Sequence, residues 1–182
     1  MAQQQDKSAP VAGSSESQLE QDKLYMQRAM ELAMQAESHD EIPVGAVLVA
    51  DGKIIGEGFN QSIMLNDPSA HAEMLAIRQA GQVLNNYRML DCTLYVTLEP
   101  CSMCAGLLVH SRIKRLVYGA DDLKTGAAGS VFNLVASDKL NHQIEVTKGV
   151  MADECGQMLS AFFKRRRQEK KAEKLARKEL KS

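Results

Sequence analysis

Cys101 and Cys104 sit three residues apart behind Pro100 in the stretch TLEPCSMCAGLL. Taken alone, the pair admits a disulfide, a redox couple or two metal ligands. A redox couple expects a thioredoxin-like context, which TLEPC does not supply, so a third ligand decides. Of the four histidines, His39, His71, His110 and His142, only His71 opens a helical pattern directly after a polar loop, in DPSAHAEMLA. Glu73 follows two residues later. A lone histidine at a helix start is commonly a hydrogen-bonded polar residue, and a lone glutamate beside Met74 and Leu75 commonly faces solvent. Joined to C-x-x-C at a second helix start, they read as a zinc site built from His71, Cys101 and Cys104. Residues three apart on a helix share a face, and a helix N-terminus favours thiolates. Three protein ligands leave a position for water, as catalytic zinc sites do, whereas structural sites usually close with four. Glu73, not needed as a ligand, can take a proton from that water and pass it to a substrate nitrogen.

The elements that must hold these residues follow from hydrophobic spacing. Residues 1–18 are Gln-, Ser- and Ala-rich and lack the apolar side chains that offset ordering entropy, so they read as disordered. Leu24, Met26, Met30, Ala33 and Met34 mark a helix from about Leu19 to Ser38. PVGAVLVADGKIIGEGFN reads as a hairpin turning at Asp51-Gly52. A polar loop with Asn66-Asp67-Pro68 precedes the helix AHAEMLAIRQAGQVL. TLYVTL reads as a central strand ended by Pro100, with a helix from Cys101 to His110 behind it. RLVYGA is the next strand, and the loop KTGAAGS follows it. A short helix is expected around Val131–Val135, then a last strand QIEVTKGV and a long helix from near Ala152. A hairpin followed by strand–helix–strand alternation predicts a three-layer α/β/α fold with a mixed sheet. The strands flanking the Cys101 helix are expected to be parallel, and the chemistry to lie at the carboxyl ends of the central strands.

Composition narrows the class. The chain has 182 residues, 45% hydrophobic and 25% charged, ordinary for one domain. No apolar run reaches the roughly 20 residues of a membrane helix, and no secretory leader is expected, so the reading is cytoplasmic. A reducing compartment weighs against a disulfide, and Cys92 and Cys155 read as small core residues. The net charge of −1 conceals an asymmetry: residues 164–182 hold ten Lys/Arg against three Glu, +7, while the rest holds 12 basic and 20 acidic residues, −8. A basic tail on an acidic body fits a phosphate-bearing partner; a merely solvated helix end is the alternative.

The pattern H-x-E…P-C-x-x-C is a known signature of the zinc nucleobase deaminases. Beyond it, PVGAVLV, GEGFN, DPSAHAEMLAIRQA, NYRMLDCTLYVTLEPCSMCAGLLVHSRI and YGADDLKTGAAGS resemble the bacterial tRNA-specific adenosine deaminases over roughly residues 24–168. The resemblance implies a five-stranded, cytidine-deaminase-like sheet and a homodimer. It also implies Zn2+ as cofactor and conversion of the wobble adenosine of an arginine tRNA (ACG) to inosine. It carries over His71, Cys101 and Cys104 as zinc ligands, Glu73 as proton shuttle and Asn60 as a hydrogen-bonding partner of adenine. Asp122 and Lys124 match a loop that contacts the anticodon stem-loop. AFFKRRRQ matches the start of a C-terminal helix, which brings Phe162, Phe163, Arg165 and Arg166 to the RNA. The two phenylalanines are adjacent, so a helix sends one to the core and the other outward. The expected organisation is a disordered extension (1–18), a deaminase domain (19–168) and a basic helical tail (169–182). Two alternatives stand beside this reading. One is a deaminase of free cytosine, cytidine or guanine. The other is a non-catalytic zinc-stabilised RNA-binding module, which requires a fourth protein ligand.

Overall fold

The computed structural model describes residues 13–179. Five strands form one sheet in the order β2-β1-β3-β4-β5. β1 (Gly45–Ala50) and β2 (Lys53–Phe59) make the hairpin. Its turn residues Asp51 and Gly52 have φ of 47° and 71°, the left-handed pair that a tight hairpin requires. β1 pairs antiparallel with β3 (Thr93–Leu98) on its other side. β3 pairs parallel with β4 (Arg115–Ala120), and β4 with β5 (Glu145–Lys148). The mixed sheet and the parallel pair around the Cys101 helix are as expected.

The sheet is buried on both faces, and the period of two along each strand sorts its side chains between them. Ala46, Leu48, Leu94, Val96, Leu116 and Tyr118 join one core, with Ala72, Ala76 and Ala80 of α3 (Ala72–Leu84) and Ala105 and Leu108 of α4 (Ser102–Ser111). Val47, Val49, Tyr95 and Val117 join the other, with Met26 and Ala29 of α1 (Gly13–Ser38) and Cys155 of α5 (Ala152–Glu179). The result is the three-layer α/β/α arrangement. Small residues bring α3 very close to β2: a Cβ on Gly56 or Gly58 would overlap the carbonyl oxygens of Ala76 and Ala72. Cys92 and Cys155 are both buried core residues, and all four cysteines are free thiols.

The structure corrects several expectations. Residues 13–18, read as disordered, are the first turns of α1, while residues 1–12 lie outside the described residues. The loop before His71 contains a short helix, α2 (Ser62–Leu65). The helix expected at Val131–Val135 is absent. Gly129, at φ 134°, turns the chain back. The N–H groups of Val131 and Phe132 then donate to Gly126 and that of Leu134 to Ala127, instead of making helical bonds. α5 runs unbroken through residues 168 and 169, so helix geometry marks no boundary for the basic tail; residues 180–182 lie outside the described residues. Among the described residues no helix is long and apolar enough to cross a membrane.

Candidate active site

Two helix N-termini meet at the carboxyl end of the central strands. His71 is the N-cap of α3 and Cys101 the N-cap of α4, both in extended conformation. Cys104 lies on the first turn of α4. The His71 Nδ1 atom is 3.7 Å from Cys101 Sγ and 3.6 Å from Cys104 Sγ, and the three donors lie within 4.8 Å of one another. A tetrahedral zinc site with Zn–S about 2.3 Å and Zn–N about 2.0–2.1 Å has S···N edges of about 3.6 Å. The triangle therefore has the dimensions of three corners of a zinc tetrahedron, and its donor set suits that metal. The thiols titrate as a pair: the Cys104 thiol beside it pulls Cys101 down to about 4, and the same contact pushes Cys104 up. Among the described residues no fourth protein ligand joins the group.

A cavity of 240 Å³ opens on this triangle, lined by Asn60, His71, Glu73, Glu99, Cys101, Asp122 and Thr125 among others. A larger hollow of 660 Å³ between α3 and α4, lined by Ile77, Tyr87, Leu107 and His110, includes none of the three donors. Glu73, on the first turn of α3, is 4% exposed, and burial raises its carboxyl above the ordinary range. A proton is thereby easier to hold, as a shuttle requires. Asn60 is also buried, and its Oδ1 accepts the Ala72 N–H at 2.9 Å. That bond fastens β2 to the start of α3 and leaves the Asn60 amide N–H groups as donors.

Two further carboxylates, missed in the sequence, shape the cavity. Glu99, 2% exposed, accepts the N–H groups of Asp122 (3.0 Å), Ala128 (2.9 Å) and Ser130 (3.0 Å), together with the Ser130 hydroxyl. Burial would raise its carboxyl, but these donors outweigh it and hold Glu99 below the ordinary range. Glu41, equally buried, accepts the N–H groups of Ile63 and Met64 at 2.7 and 2.8 Å. Each carboxylate thus anchors one loop at the cavity rim. A signal existed for Glu99: a charged residue closing the apolar strand TLYVTL, two positions before a ligand.

The expected RNA-contacting residues divide. Asp122 is turned inward on its own loop, accepting the N–H groups of Lys124 and Thr125 and the Thr125 hydroxyl. Lys124 lines a separate 310 Å³ cleft with Leu159, Ser160, Phe163 and Arg167. Phe162 is 3% exposed and Phe163 43%, so Phe162 is the core residue and only Phe163 faces outward. Arg165 pairs with Asp40 at 3.1 Å and Glu169 at 2.9 Å, and Arg166 with Glu169 at 2.9 Å. Both arginines are spent on carboxylates of the protein itself, whereas Arg167, not singled out in the sequence, lines the cleft.

The model of the cytidine and deoxycytidylate deaminase zinc-binding region matches residues 19–120. A tRNA-specific adenosine deaminase from Haemophilus influenzae is 59% identical over 160 residues, 87% of this chain and 92% of its own length. The chain belongs to the tRNA-specific adenosine deaminases. Among solved structures, one from a study of A-to-I editing by tRNA:A34 deaminases at the wobble position superposes with a TM-score of 0.72. It is 41% identical and covers 74% of this chain and 98% of its own. A Bacillus subtilis guanine deaminase also matches, at TM-score 0.54 and 43% identity, over 59% of this chain and 69% of its own. The deaminase shares its fold with both, but its likeness to the tRNA enzyme extends over more of the chain.

Proposed function

We propose that the chain hydrolyses adenosine to inosine at the wobble position of a tRNA anticodon, on an arginine tRNA carrying ACG, as a cytoplasmic homodimer. The observation that carries the reading is the His71, Cys101 and Cys104 group opening onto a cavity that also contains buried Glu73. Bound there by these three residues, zinc supplies the Lewis acidity that makes water nucleophilic near neutral pH. Glu73 takes a proton from the attacking water and returns it to the departing amino nitrogen, so that adenine and water become hypoxanthine and ammonia. The Asn60 amide N–H groups hold the base edge, and the cavity takes one extruded base rather than a run of RNA.

The loop of Asp122 and Lys124, with Phe163 and Arg167 across the cleft, offers neighbouring nucleotides a charge and a stacking surface. Homodimerisation is supported by the exposed apolar residues Ile63, Met64 and Leu65 of α2, of which Ile63 also lines the cavity. The test is inosine formation on an ACG anticodon stem-loop, run beside ammonia release from cytosine, cytidine and guanine. Turnover of the RNA alone is expected. Turnover of the free compounds alone would transfer the reading to the base deaminases.

A further inference from the structure

The outer half of α5 carries charges that helix geometry sorts by face. At 100° per residue, Lys164, Arg167, Lys171 and Lys174 fall within an arc of about 80°, and Phe163 borders it. Glu169 and Glu173 fall on the opposite side, with Arg165 and Arg166 beside them. Arg165 and Arg166 are tied to Asp40 and Glu169, and Arg165 also to Glu37 at 3.7 Å. Lys164, Arg167, Lys171 and Lys174 are all exposed, and no ion pair engages them among the described residues. From residue 170 to 178 every described side chain is exposed, so packing on the body does not explain this part of the helix.

We propose that this basic face is a phosphate-binding strip that continues the RNA interface from the anticodon loop along the adjoining stem. The inference rests on the tRNA reading above and extends it to the distal tail. The strip begins at the cleft, where Phe163 and Arg167 meet Lys124 of the loop that also reaches the catalytic cavity through Asp122 and Thr125. From Lys164 to Lys174 it runs about 15 Å at 1.5 Å per residue. Beyond Phe163 no aromatic residue remains in the chain. The distal strip therefore offers cations without stacking surfaces, which suits the sugar-phosphate backbone of paired RNA rather than unstacked bases. The partner chemistry also fits the charge division: a body of −8 repels RNA, and the +7 tail offsets that repulsion where the stem passes.

The test uses the full-length chain, its K171Q/K174Q variant, and a K53Q/K139Q variant that removes the same charge elsewhere. Binding is followed by fluorescence anisotropy over a salt series, with inosine formation read in the same mixtures. One RNA hairpin has the full anticodon stem and the other only the loop and its closing pairs. Two lost phosphate contacts should lower the slope of log K against log salt by about 1.5, so that the wild-type advantage on the long hairpin grows about eightfold between about 200 and about 50 mM salt. The short hairpin should discriminate little, and K53Q/K139Q should resemble wild type. An unchanged slope for K171Q/K174Q, an equal loss in K53Q/K139Q, or an equal loss on both hairpins would overturn the strip. Hairpin binding without inosine would overturn the proposed function instead and leave the slope comparison readable.

Discussion

Glutamine at position 99 keeps the size of the side chain but removes its charge and one of its two acceptor oxygens. In the native protein Oε1 accepts Ala128 and Ser130 N–H, and Oε2 accepts Asp122 N–H and the Ser130 hydroxyl. Placing the new amide NH2 at Oε2 keeps the first pair and lets the Ser130 hydroxyl turn to accept. The Asp122 N–H then faces another donor. Hydrogen bonds to a charged group contribute about 1.5–3 kcal/mol, and a stranded buried donor costs about 1–3 kcal/mol. A net loss of about 2 kcal/mol in the closed loop is the central expectation. At about 1.4 kcal/mol per tenfold, kcat/KM on the anticodon stem-loop should fall roughly 30-fold. The metal donors hang from the starts of α3 and α4, not from this loop, so zinc content should stay at one per chain and the fall should lie mainly in KM. Steady-state deamination with metal analysis and a melting curve on the same preparation reads all three. An unchanged kcat/KM with zinc retained would refute the anchoring role, and so would a loss of activity that only tracks lost zinc.

Glu73→Ala should keep its zinc and lose deamination by about 10²- to 10⁴-fold, the usual contribution of a positioned acid–base group; surviving activity with metal bound would remove the shuttle. Gly58→Ala drives a methyl group into the Ala72 carbonyl at the start of α3. It should cost about 1–3 kcal/mol in stability and more activity than a comparable core overpacking remote from His71, as melting and turnover measured together would reveal. Asp22 is buried, accepting Tyr95 at 2.9 Å and both Arg115 guanidinium N–H groups at 2.8 and 2.6 Å. Asp22→Ala should therefore destabilise by about 3–5 kcal/mol through the orphaned arginine. Although burial opposes it, Arg115 with Gln18 and Tyr95 lowers the Asp22 carboxyl below its usual 3.8. Its contribution is thus present above that value and fades as pH falls toward the folded value; acid denaturation should be shallower in Asp22→Asn than in wild type.

The metal triangle was legible because both of its halves are punctuated. Pro100 ends a β-branched strand, and a polar loop ends at His71, so each ligand falls at a helix start from local signals alone. The sheet was legible because Ala46 to Val49, Leu94 to Val96 and Leu116 to Tyr118 are apolar at every position, as doubly covered strands must be. The roles of Glu99 and Glu41 were not, because all their partners except the Ser130 hydroxyl are backbone N–H groups, 23 to 31 and 22 to 23 residues away, and a backbone donor has no residue identity to read. Asn60 was legible only by resemblance: its bond to Ala72 spans twelve residues. The Val131–Val135 helix failed for a related reason. Apolar spacing favoured it, but Gly126, Gly129 and the Glu99 carboxylate capture the loop in a different hydrogen-bond pattern. Among the basic residues, composition located the tail, but it is the carboxylates of Asp40 after α1 and Glu169 on α5 that separate the tied Arg165 and Arg166 from the exposed Arg167.

One short stretch ties the metal donors of α4 to the loop after β4. At the end of β3, Glu99 accepts from the loop after β4, the Pro100 carbonyl accepts the Ala127 N–H at 2.8 Å, and Cys101 bridges to Gly126. Cys101 then begins the helix that holds two of the three donors. The parallel pairing of β3 and β4 puts both strand ends on one side of the sheet, so the loop reaches this mounting without a detour. The other half is built the same way: Asn60 at the end of β2 fastens α3, which brings His71 and Glu73. Each fixed element therefore positions a metal donor and a wall of the cavity at once. Loosening the Asn60 fastening, which holds His71 and Glu73 themselves, should disturb binding and turnover jointly. The distal charges of α5 touch no such mounting, and their removal should weaken RNA binding while leaving the rate on bound substrate intact.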